Sequence, residues 1–315
     1  MFARRQRGTS PLIRTPRSAV VPVGASLLLV LIVLTGCSQG QGQGAYPYNW
    51  NILWDSIFGL NQRIMAGLFL TVVISIVSQV IGVILGVFAA IGRLSRHRTV
   101  RSIAGVYIWI FRGTPLLVQL AFVFYGLGVA GIYKWPDFVA GPLTVTGAIQ
   151  AGIFTLGINE GAYMAEIVRA GIISIDPGQM EAAKSLGMTY GKAMRRIVLP
   201  QAARVIVPPL GNEFNNMLKT TSLLVIIAVP ELFVTFEQLN GSGPTSFHPI
   251  ELFLAAAIWY LLLTTIWGLI QGAIERRLAK GAAGVTGGGG PTFRERMFGL
   301  RSGGPQDVSL VSGGR

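Results

Sequence analysis

The chain has 315 residues, of which 51% are hydrophobic and only 12% are charged. A soluble domain carries about twice that charged fraction, so the composition excludes an ordinary soluble protein and indicates an integral membrane protein. The net charge of +13 in so apolar a chain is typical of the positive-inside bias of membrane proteins rather than of nucleic-acid binding. One cysteine and two distant histidines exclude a disulfide framework and a metal site built from those residues.

Residues 1–36 form a separate unit. Several arginines are followed by an apolar run at 19–34 and by small residues up to Cys37, which is the order found in a secretory signal peptide. The stretch Leu34-Thr35-Gly36-Cys37 also resembles a bacterial lipobox, so Cys37 is a candidate for lipidation. The alternative is an uncleaved anchor helix that makes an additional span. The flexible residues that follow predict an extracytoplasmic tether over residues 37–60.

Five apolar segments predict membrane spans, since about 20 helical residues cross the hydrocarbon core. They cover Ile64–Ile91, Leu116–Tyr133, Leu143–Val168, Val205–Phe236 and Leu252–Ile274. Pro208, Pro209 and Pro230 interrupt the fourth segment, so we expect it to be broken. Gly67, Gly82 and Gly86 on the first span predict close helix packing. The predicted fold class is therefore an all-α integral membrane protein with a five-span core.

Basic residues are distributed unevenly between the two ends of these spans. They cluster in segments 93–101, 169–204 and 276–301, whereas the opposite loops carry only Arg63 and Lys134. Short basic loops of membrane proteins stay in the cytoplasm. We therefore expect the N-terminus of the core to lie outside and its C-terminus to be cytoplasmic. The glycine-rich segment 279–315 predicts a disordered cytoplasmic tail.

The longest polar stretch within the apolar part of the chain is the loop Ser174–Arg204. Asp176 is a suitable N-cap and Pro177 is favoured at the first helical position, so a short helix is predicted from Pro177 to a stop at Gly187. A glutamate and small alanines within it suit close docking into a groove on another protein. A second short helix over 190–199 is expected to stop at Pro200.

Several motifs carry a family resemblance. Glu181-Ala182-Ala183, Gly187 and Ile197-Val198-Leu199-Pro200 resemble the EAA loop of ABC importer permeases. Four motifs are similar to the polar amino-acid uptake subfamily of the histidine, glutamate, glutamine and arginine type: Arg112-Gly113-Thr114-Pro115-Leu116-Leu117, Ala165-Glu166-Ile167-Val168-Arg169-Ala170-Gly171, Gly178-Gln179-Met180-Glu181-Ala182-Ala183 and Lys219-Thr220-Thr221-Ser222-Leu223. The resemblance covers about residues 60–278, and we assign the transmembrane domain to 61–278.

The resemblance implies the fold of a type I ABC importer permease with cytoplasmic EAA coupling helices. It implies that the chain forms the translocation path of an ATP-driven amino-acid importer in the bacterial plasma membrane. The implied partners are a cytoplasmic ATPase dimer, a second permease subunit that is either identical or paralogous, an extracytoplasmic amino-acid-binding protein and membrane lipid. By analogy, the residues that couple to the ATPase are Glu181, Ala182, Ala183 and Gly187. The alternative for this helix is an amphipathic surface helix with a solvated glutamate.

The chain lacks the GxxxxGK[ST] pattern that cradles nucleotide phosphates. The sequence therefore predicts that the chain is not itself an enzyme, that a partner hydrolyses ATP, and that it binds neither a cofactor nor nucleic acid. The alternative function is an ion-coupled secondary amino-acid transporter, with Glu160, Glu166 and Lys219 as its coupling site. Five spans are few for a pathway formed by one chain alone.

Polar residues within the spans suggest a path for a polar solute, because ionisable groups in a membrane are costly and usually functional. Asn159 and Glu166 share one helical face with Glu160 beside it, and Lys219 lies at an expected helix interruption. An amino acid needs an anionic partner for its ammonium group and a donor for its carboxylate. The candidate path residues are Thr114, Asn159, Glu160, Glu166, Asn212, Asn216, Lys219, Thr220, Thr221 and Ser222. The alternatives are an ion pair between Glu166 and Arg169, and asparagines that bond across helices.

Overall fold

The computed structural model describes residues 48–140 and 143–280. The interpretations of residues 1–36 as a signal peptide or anchor, of Cys37 as a lipidation site and of 281–315 as a disordered tail lie outside the described residues. The same holds for the first part of the predicted tether.

The described residues form mainly helices, which agrees with the predicted fold class. The α-helices are α1 Trp50–Phe58, α2 Gln62–Leu94, α3 Arg98–Gly113, α4 Leu116–Ala121, α5 Leu127–Val129, α6 Gly147–Ile173, α7 Pro177–Ser185, α8 Tyr190–Ala193, α9 Leu199–Thr220, α10 Leu232–Gly241 and α11 Pro249–Lys280. The π-helical turns Phe122–Gly126 and Met194–Val198 join α4 to α5 and α8 to α9, and the segments Thr221–Ile227 and Gly243–Thr245 are 3₁₀-helical. One antiparallel hairpin pairs β1 Phe138–Ala140 with β2 Leu143–Val145, which the sequence analysis did not predict.

Two helices, α2 and the stretch Pro249–Leu278 of α11, are each long and apolar enough to cross a membrane. Two bent pairs are apolar enough to be broken spans or re-entrant loops: Arg98–Gly113 with Leu116–Val129 at 103°, and Tyr190–Ile227 with Leu232–Gly241 at 45°. The 27 residues of α6 measure about 40 Å, which is also enough to span. Among the described residues, two helices thus have the length and composition of a span, or up to four spans if each bent pair counts as one. The predicted span at Leu143–Val168 is supported by the length of α6 alone.

The second predicted span differs in its extent. Its helical part ends at Val129 and is only about 20 Å long, so it is long enough for a span only as a bent pair with α3. The arginines at 98, 101 and 112 lower the mean hydropathy of α3, so a hydropathy pattern does not identify it as part of a span.

The fourth predicted span is less interrupted by proline than expected. Pro208 and Pro209 lie inside the continuous helix α9, and the predicted stop at Pro200 is wrong, because the π-turn before α9 carries the helix onward from Tyr190. Proline within a membrane helix is tolerated where a neighbouring helix supplies hydrogen bonds. The Nε2 of Gln271 on α11 donates to the carbonyl of Pro208 over 3.2 Å, so a neighbouring helix bonds to α9 at the prolines. The carbonyls that lose their helical donor are those of Arg204 and Val205, four residues before each proline.

The predicted break near Lys219 is confirmed. The α-helix of α9 ends at Thr220 and continues as a 3₁₀ segment to Ile227. Ala228 then adopts a left-handed conformation with a φ of 53°, which turns the chain before α10 begins. The polar residues near 219 therefore lie where the helical hydrogen-bond pattern changes.

Helices α2 and α6 pack along most of their lengths through small residues. A methyl group at Gly82 would lie 2.7 Å from the Cβ of Glu160, and one at Gly157 would lie 2.8 Å from the Cγ2 of Ile81. A methyl group added at Gly86 would come at least as close to the Cβ of Met164. Two G-x-x-x-G patterns, one on each helix, thus let the backbones approach closely, as predicted for Gly82 and Gly86.

Helix α1 lies within the range 37–60 that was predicted as a tether. Its side chains Ile52, Leu53 and Ile57 are buried in a cluster with residues of α2, α10 and α11. The backbone N–H of Asn49 also donates to Oε1 of Glu251 over 2.7 Å. The packed part of the chain therefore begins one helix earlier than the boundary at residue 61.

Candidate functional site

A polar cavity of about 650 Å³ opens between α6, α9 and the start of the 3₁₀ segment. Its polar lining consists of Asn159, Glu160, Tyr163, Glu213, Asn216, Lys219, Thr220 and Ser222, and its apolar lining of Leu116, Leu156, Met217 and Leu223. On both helices the lining residues recur three or four positions apart, which is the spacing of one helical face. The cavity therefore offers carboxylates, an ammonium group, amides and hydroxyls to one solute.

The two carboxylates of the cavity have different surroundings. Glu160 is only 6% exposed, and its Oε1 accepts a 3.2 Å hydrogen bond from the Nε2 of Gln79 on α2. Glu213 is half-buried and Lys219 is exposed. Within the described part of the chain, the side chains of Glu213 and Lys219 form neither a hydrogen bond nor an ion pair, so both charges remain available to a ligand.

One wall of the cavity is tied to the bend between α3 and α4. The Nδ2 of Asn159 donates 3.0 Å hydrogen bonds to the carbonyl of Phe111 and to Oε1 of Gln119. The Nε2 of Gln119 in turn donates to Oγ1 of Thr114 over 2.7 Å. Thr114 therefore holds the bend and lies outside the cavity lining, while Asn159 contributes both to the bend and to the cavity wall.

Three other predicted path residues do not line the cavity. Glu166 is paired with Arg169 on its own helix through a 2.7 Å contact, which is the alternative considered for it. Asn212 accepts a 3.1 Å hydrogen bond from Gln271 of α11. Thr221 is fully buried and donates to the carbonyl of Leu218. Of the ten predicted positions, the structure brings Asn159, Glu160, Asn216, Lys219, Thr220 and Ser222 together.

The predicted set omitted Tyr163 and Glu213. Glu213 precedes Asn216 by three residues and Thr220 by seven, so the helical spacing that selected other residues could also have found it. A helical face drawn through Asn212 and Asn216 leaves Glu213 one position to the side. Among the described residues, no group of three or more His, Cys, Asp or Glu side chains could hold a metal ion.

A second buried acid, Glu231, also escaped the sequence analysis. It is fully buried, its Oε2 accepts hydrogen bonds from the hydroxyls of Tyr260 and Thr71 over 2.7 and 3.2 Å, and its Oε1 accepts from the backbone N–H of Val234 over 2.9 Å. Glu231 therefore caps α10 and joins it to α2 and α11. Glutamate is not among the residues that usually cap a helix N-terminus, so the local sequence gives no signal for this N-cap.

The predicted helix in the polar loop is confirmed as α7. Oδ1 of Asp176 accepts from the backbone N–H of Gly178 over 2.8 Å, which caps the first turn. At the other end Gly187 has a φ of 78°, its N–H donates to the carbonyl of Lys184, and the N–H of Met188 donates to that of Ala183. This pair of hydrogen bonds is a Schellman motif, in which glycine favours the left-handed position.

The four predicted coupling residues, on α7 and just after it, differ in their exposure. Glu181, Ala182 and Gly187 are exposed, whereas Ala183 is only 1% exposed and packs within its own chain. Leu186, which was not predicted, is 82% exposed. Glu181, Ala182, Leu186 and Gly187 therefore contribute to one exposed surface.

A protein family and several known proteins are similar in sequence to this chain. A family model described as a binding-protein-dependent transport system inner membrane component matches residues 82–280. The arginine transport system permease protein ArgU of Corynebacterium glutamicum is 38% identical over 239 residues, which cover 75% of this chain and 73% of the relative. The glutamine transport system permease protein GlnP of Escherichia coli is 32% identical over 231 residues, covering 73% and 98%.

Solved structures of ABC transporters are also similar to this chain. The crystal structure of an amino acid ABC transporter with histidines matches with a TM-score of 0.61 and 36% identity, covering 69% of this chain and 94% of that one. An inward-facing structure of the MetNI methionine ABC transporter matches with a TM-score of 0.55 at 16% identity, covering 70% and 98%. At that identity the second likeness concerns the fold alone.

Proposed function

The chain belongs to the family of binding-protein-dependent transport system inner membrane components, and from this premise we propose that it is the permease subunit of an ATP-driven importer of amino acids. The resemblance drawn from its motifs is confirmed, as is the fold class of an ABC importer permease. The observation that carries the proposal is the cavity in which carboxylates and an ammonium group face the same space. Relatives named for arginine, cystine and glutamine transport support the substrate class.

A zwitterion fits this cavity by its chemistry. Its ammonium group would pair with Glu160 or Glu213, and its carboxylate would pair with Lys219. The Nδ2 of Asn216 supplies a further donor, since this side chain forms no hydrogen bond with other described residues. Charges that meet in a membrane interior are weakly screened, and the interrupted helix beside Lys219 exposes backbone groups to a solute, as in other transporters.

The coupling mechanism follows from the continuity of the helices. We assign ATP hydrolysis to a cytoplasmic ATPase dimer, with α7 of each permease subunit inserted in a cleft of the ATPase. Ala183 packs α7 within its own chain, next to the segment that leads into α9. From Tyr190 to Thr220 the backbone is one continuous helical rod about 45 Å long, and this rod carries Asn216 and Lys219. A displacement of α7 would therefore reach the cavity directly.

The proposed assembly also has an orientation. The basic segments, including α7, lie in the cytoplasm of a bacterial cell under the positive-inside rule, and α1 and the β-hairpin lie outside. A second permease subunit, identical or paralogous, completes the pathway, and a separate extracytoplasmic protein delivers the amino acid.

The test uses the assembled transporter in proteoliposomes. Uptake of labelled amino acid should require ATP on the side of α7 and should persist after an ionophore has dissipated ion gradients. Uptake that is driven by an ion gradient without ATP would refute the proposal and favour a secondary transporter. Glu181→Arg should abolish both uptake and co-purification of the ATPase. Glu237→Arg reverses an exposed charge on α10 and serves as the control, which should retain the ATPase.

A further inference from the structure

An apolar groove lies between α2 and α3, away from the polar cavity. It has a volume of about 360 Å³, and its lining includes Leu85, Ala89 and Gly92 of α2 and Ile103, Ala104 and Tyr107 of α3. On each helix the lining residues recur three or four positions apart, so two apolar stripes face each other. Small side chains form the floor, while Phe88 and Ile103, at 70% and 66% exposure, form the rims.

The groove runs toward a cluster of arginines. Its two stripes converge at Gly92 and Val100, on either side of the turn that contains Arg96. The segment 92–113 contains arginine at 93, 96, 98, 101 and 112 and no acidic residue. The guanidinium of Arg93 lies over α3, where a methyl group at Gly105 would be 3.0 Å from its Nη1. Among the described residues, the side chains of Arg96, Arg98 and Arg101 form no ion pair or hydrogen bond.

The size of the groove limits what can occupy it. Its stripes extend over about two turns of helix, or roughly 10 Å. A helix has a diameter of about 10 Å and is therefore much wider than a single hydrocarbon chain. A single hydrocarbon chain is thin enough to lie between Phe88 and Ile103.

From the apolar groove and the unpaired arginines at its end we infer a binding site for an anionic phospholipid. One acyl chain lies along Ala89 and Ala104, and the phosphate-bearing headgroup lies against Arg96 and Arg101. Basic pockets between membrane helices at the cytoplasmic face are suited to anionic headgroups. The lipid would extend the contact between the end of α2 and α3, which already pack against each other where Gly92 meets Ala104.

The first test measures lipid retention by the purified transporter complex. The complex is equilibrated with equal amounts of phosphatidylglycerol and phosphatidylcholine, and bound lipids are counted by native mass spectrometry. We expect preferential retention of phosphatidylglycerol. Arg96→Gln combined with Arg101→Gln should lower that retention about 25-fold, since each basic residue near an anionic surface contributes about a factor of five. Equal retention of both lipids by the wild-type protein would overturn the inference.

Two matched controls separate the site from general charge and from general packing. Arg276→Gln with Arg277→Gln removes the same charge from exposed positions on α11 and should leave retention unchanged; an equal loss would mean that only bulk charge matters. Ala89→Phe fills the groove and should reduce retention as strongly as the arginine pair. Ile84→Phe enlarges an exposed side chain of α2 outside the groove and should have no effect.

A second test identifies the occupant directly. A photoreactive phenylalanine analogue replaces Phe88 at the rim, and the complex is irradiated in membranes that contain phosphatidylglycerol. A covalent adduct with the mass of that lipid supports the site. A cross-link to a second permease chain, or to residues 19–34 of the same chain, would show that protein occupies the groove and would overturn the inference.

Discussion

The hydroxyl of Tyr260 donates a 2.7 Å hydrogen bond to Oε2 of Glu231, which joins α11 to the turn between the broken halves of the fourth span. The same carboxylate accepts from Thr71 of α2 and caps α10. Three helices therefore meet at one fully buried acid. Buried polar networks of this kind fix one arrangement of the elements that they join, provided that each member has its partners. Glu231 thus defines where α10 sits relative to the two longest helices.

Tyr260→Phe should destabilise the protein, because it removes a donor from a buried carboxylate. We expect a loss of about 1–3 kcal/mol in the free energy of unfolding, visible as a lower midpoint of thermal unfolding in lipid nanodiscs. Tyr125→Phe is the matched control, since its hydroxyl donates to the carbonyl of Ile226 from a side chain that is 49% exposed. Equal shifts for the two variants would contradict the structural role of Glu231.

Two asparagines one turn apart on α9 allow the cavity assignment to be tested. Asn216 lines the cavity, whereas Asn212 bonds to Gln271. Asn216→Ala should raise the KM for uptake about tenfold, which corresponds to the loss of one hydrogen bond to a charged group, with little change in stability. Asn212→Ala should leave KM unchanged and lower the midpoint of thermal unfolding. The reverse pattern would place the substrate path on the other face of α9.

Sequence patterns predicted the spans where hydropathy alone decides the structure. The cores of α2, α6 and α11 were found because long apolar runs must be helical in a bilayer. The stop at Pro200 was predicted wrongly because local propensity cannot foresee a π-turn. Gln271, some sixty residues later in the chain, donates to the carbonyl of Pro208 and joins α11 to the proline-containing part of α9, and a local pattern does not contain such a contact.

The candidate site was predicted in part for a similar reason. Residue type and helical spacing selected Asn159, Glu160 and Lys219, and the structure brings these into one cavity. The same criteria also selected Glu166, whose charge is satisfied by Arg169 on its own helix. Whether a polar side chain faces a ligand or a protein partner depends on tertiary neighbours, and these are absent from a one-dimensional pattern.

The end of α7 should depend on the backbone freedom of a single glycine. Gly187→Ala forces a side chain onto a φ of 78°, at a cost of about 1–2 kcal/mol, so the Schellman motif should loosen and the ATPase-coupled uptake rate should fall. Gly191→Ala is the control, because Gly191 has open space around it and a helical conformation in α8. Alanine is a better helix former than glycine, so this control should retain uptake. Wild-type coupling in Gly187→Ala would show that the glycine is not required for the shape of this surface.

The close approach of α2 and α6 should tolerate no added volume. Gly86→Val would drive a branched side chain into Met164, and overpacking of this kind costs about 1–3 kcal/mol or more. We expect a lower midpoint of thermal unfolding and a reduced yield of folded protein. Gly272→Ala is the matched control on α11, where an added methyl group meets only the end of Arg276 at 3.4 Å; it should be neutral or stabilise the helix by up to about 1 kcal/mol. A neutral result for Gly86→Val would mean that the two helices can separate without loss of the fold, which contradicts the packing by which Glu160 is held at the cavity.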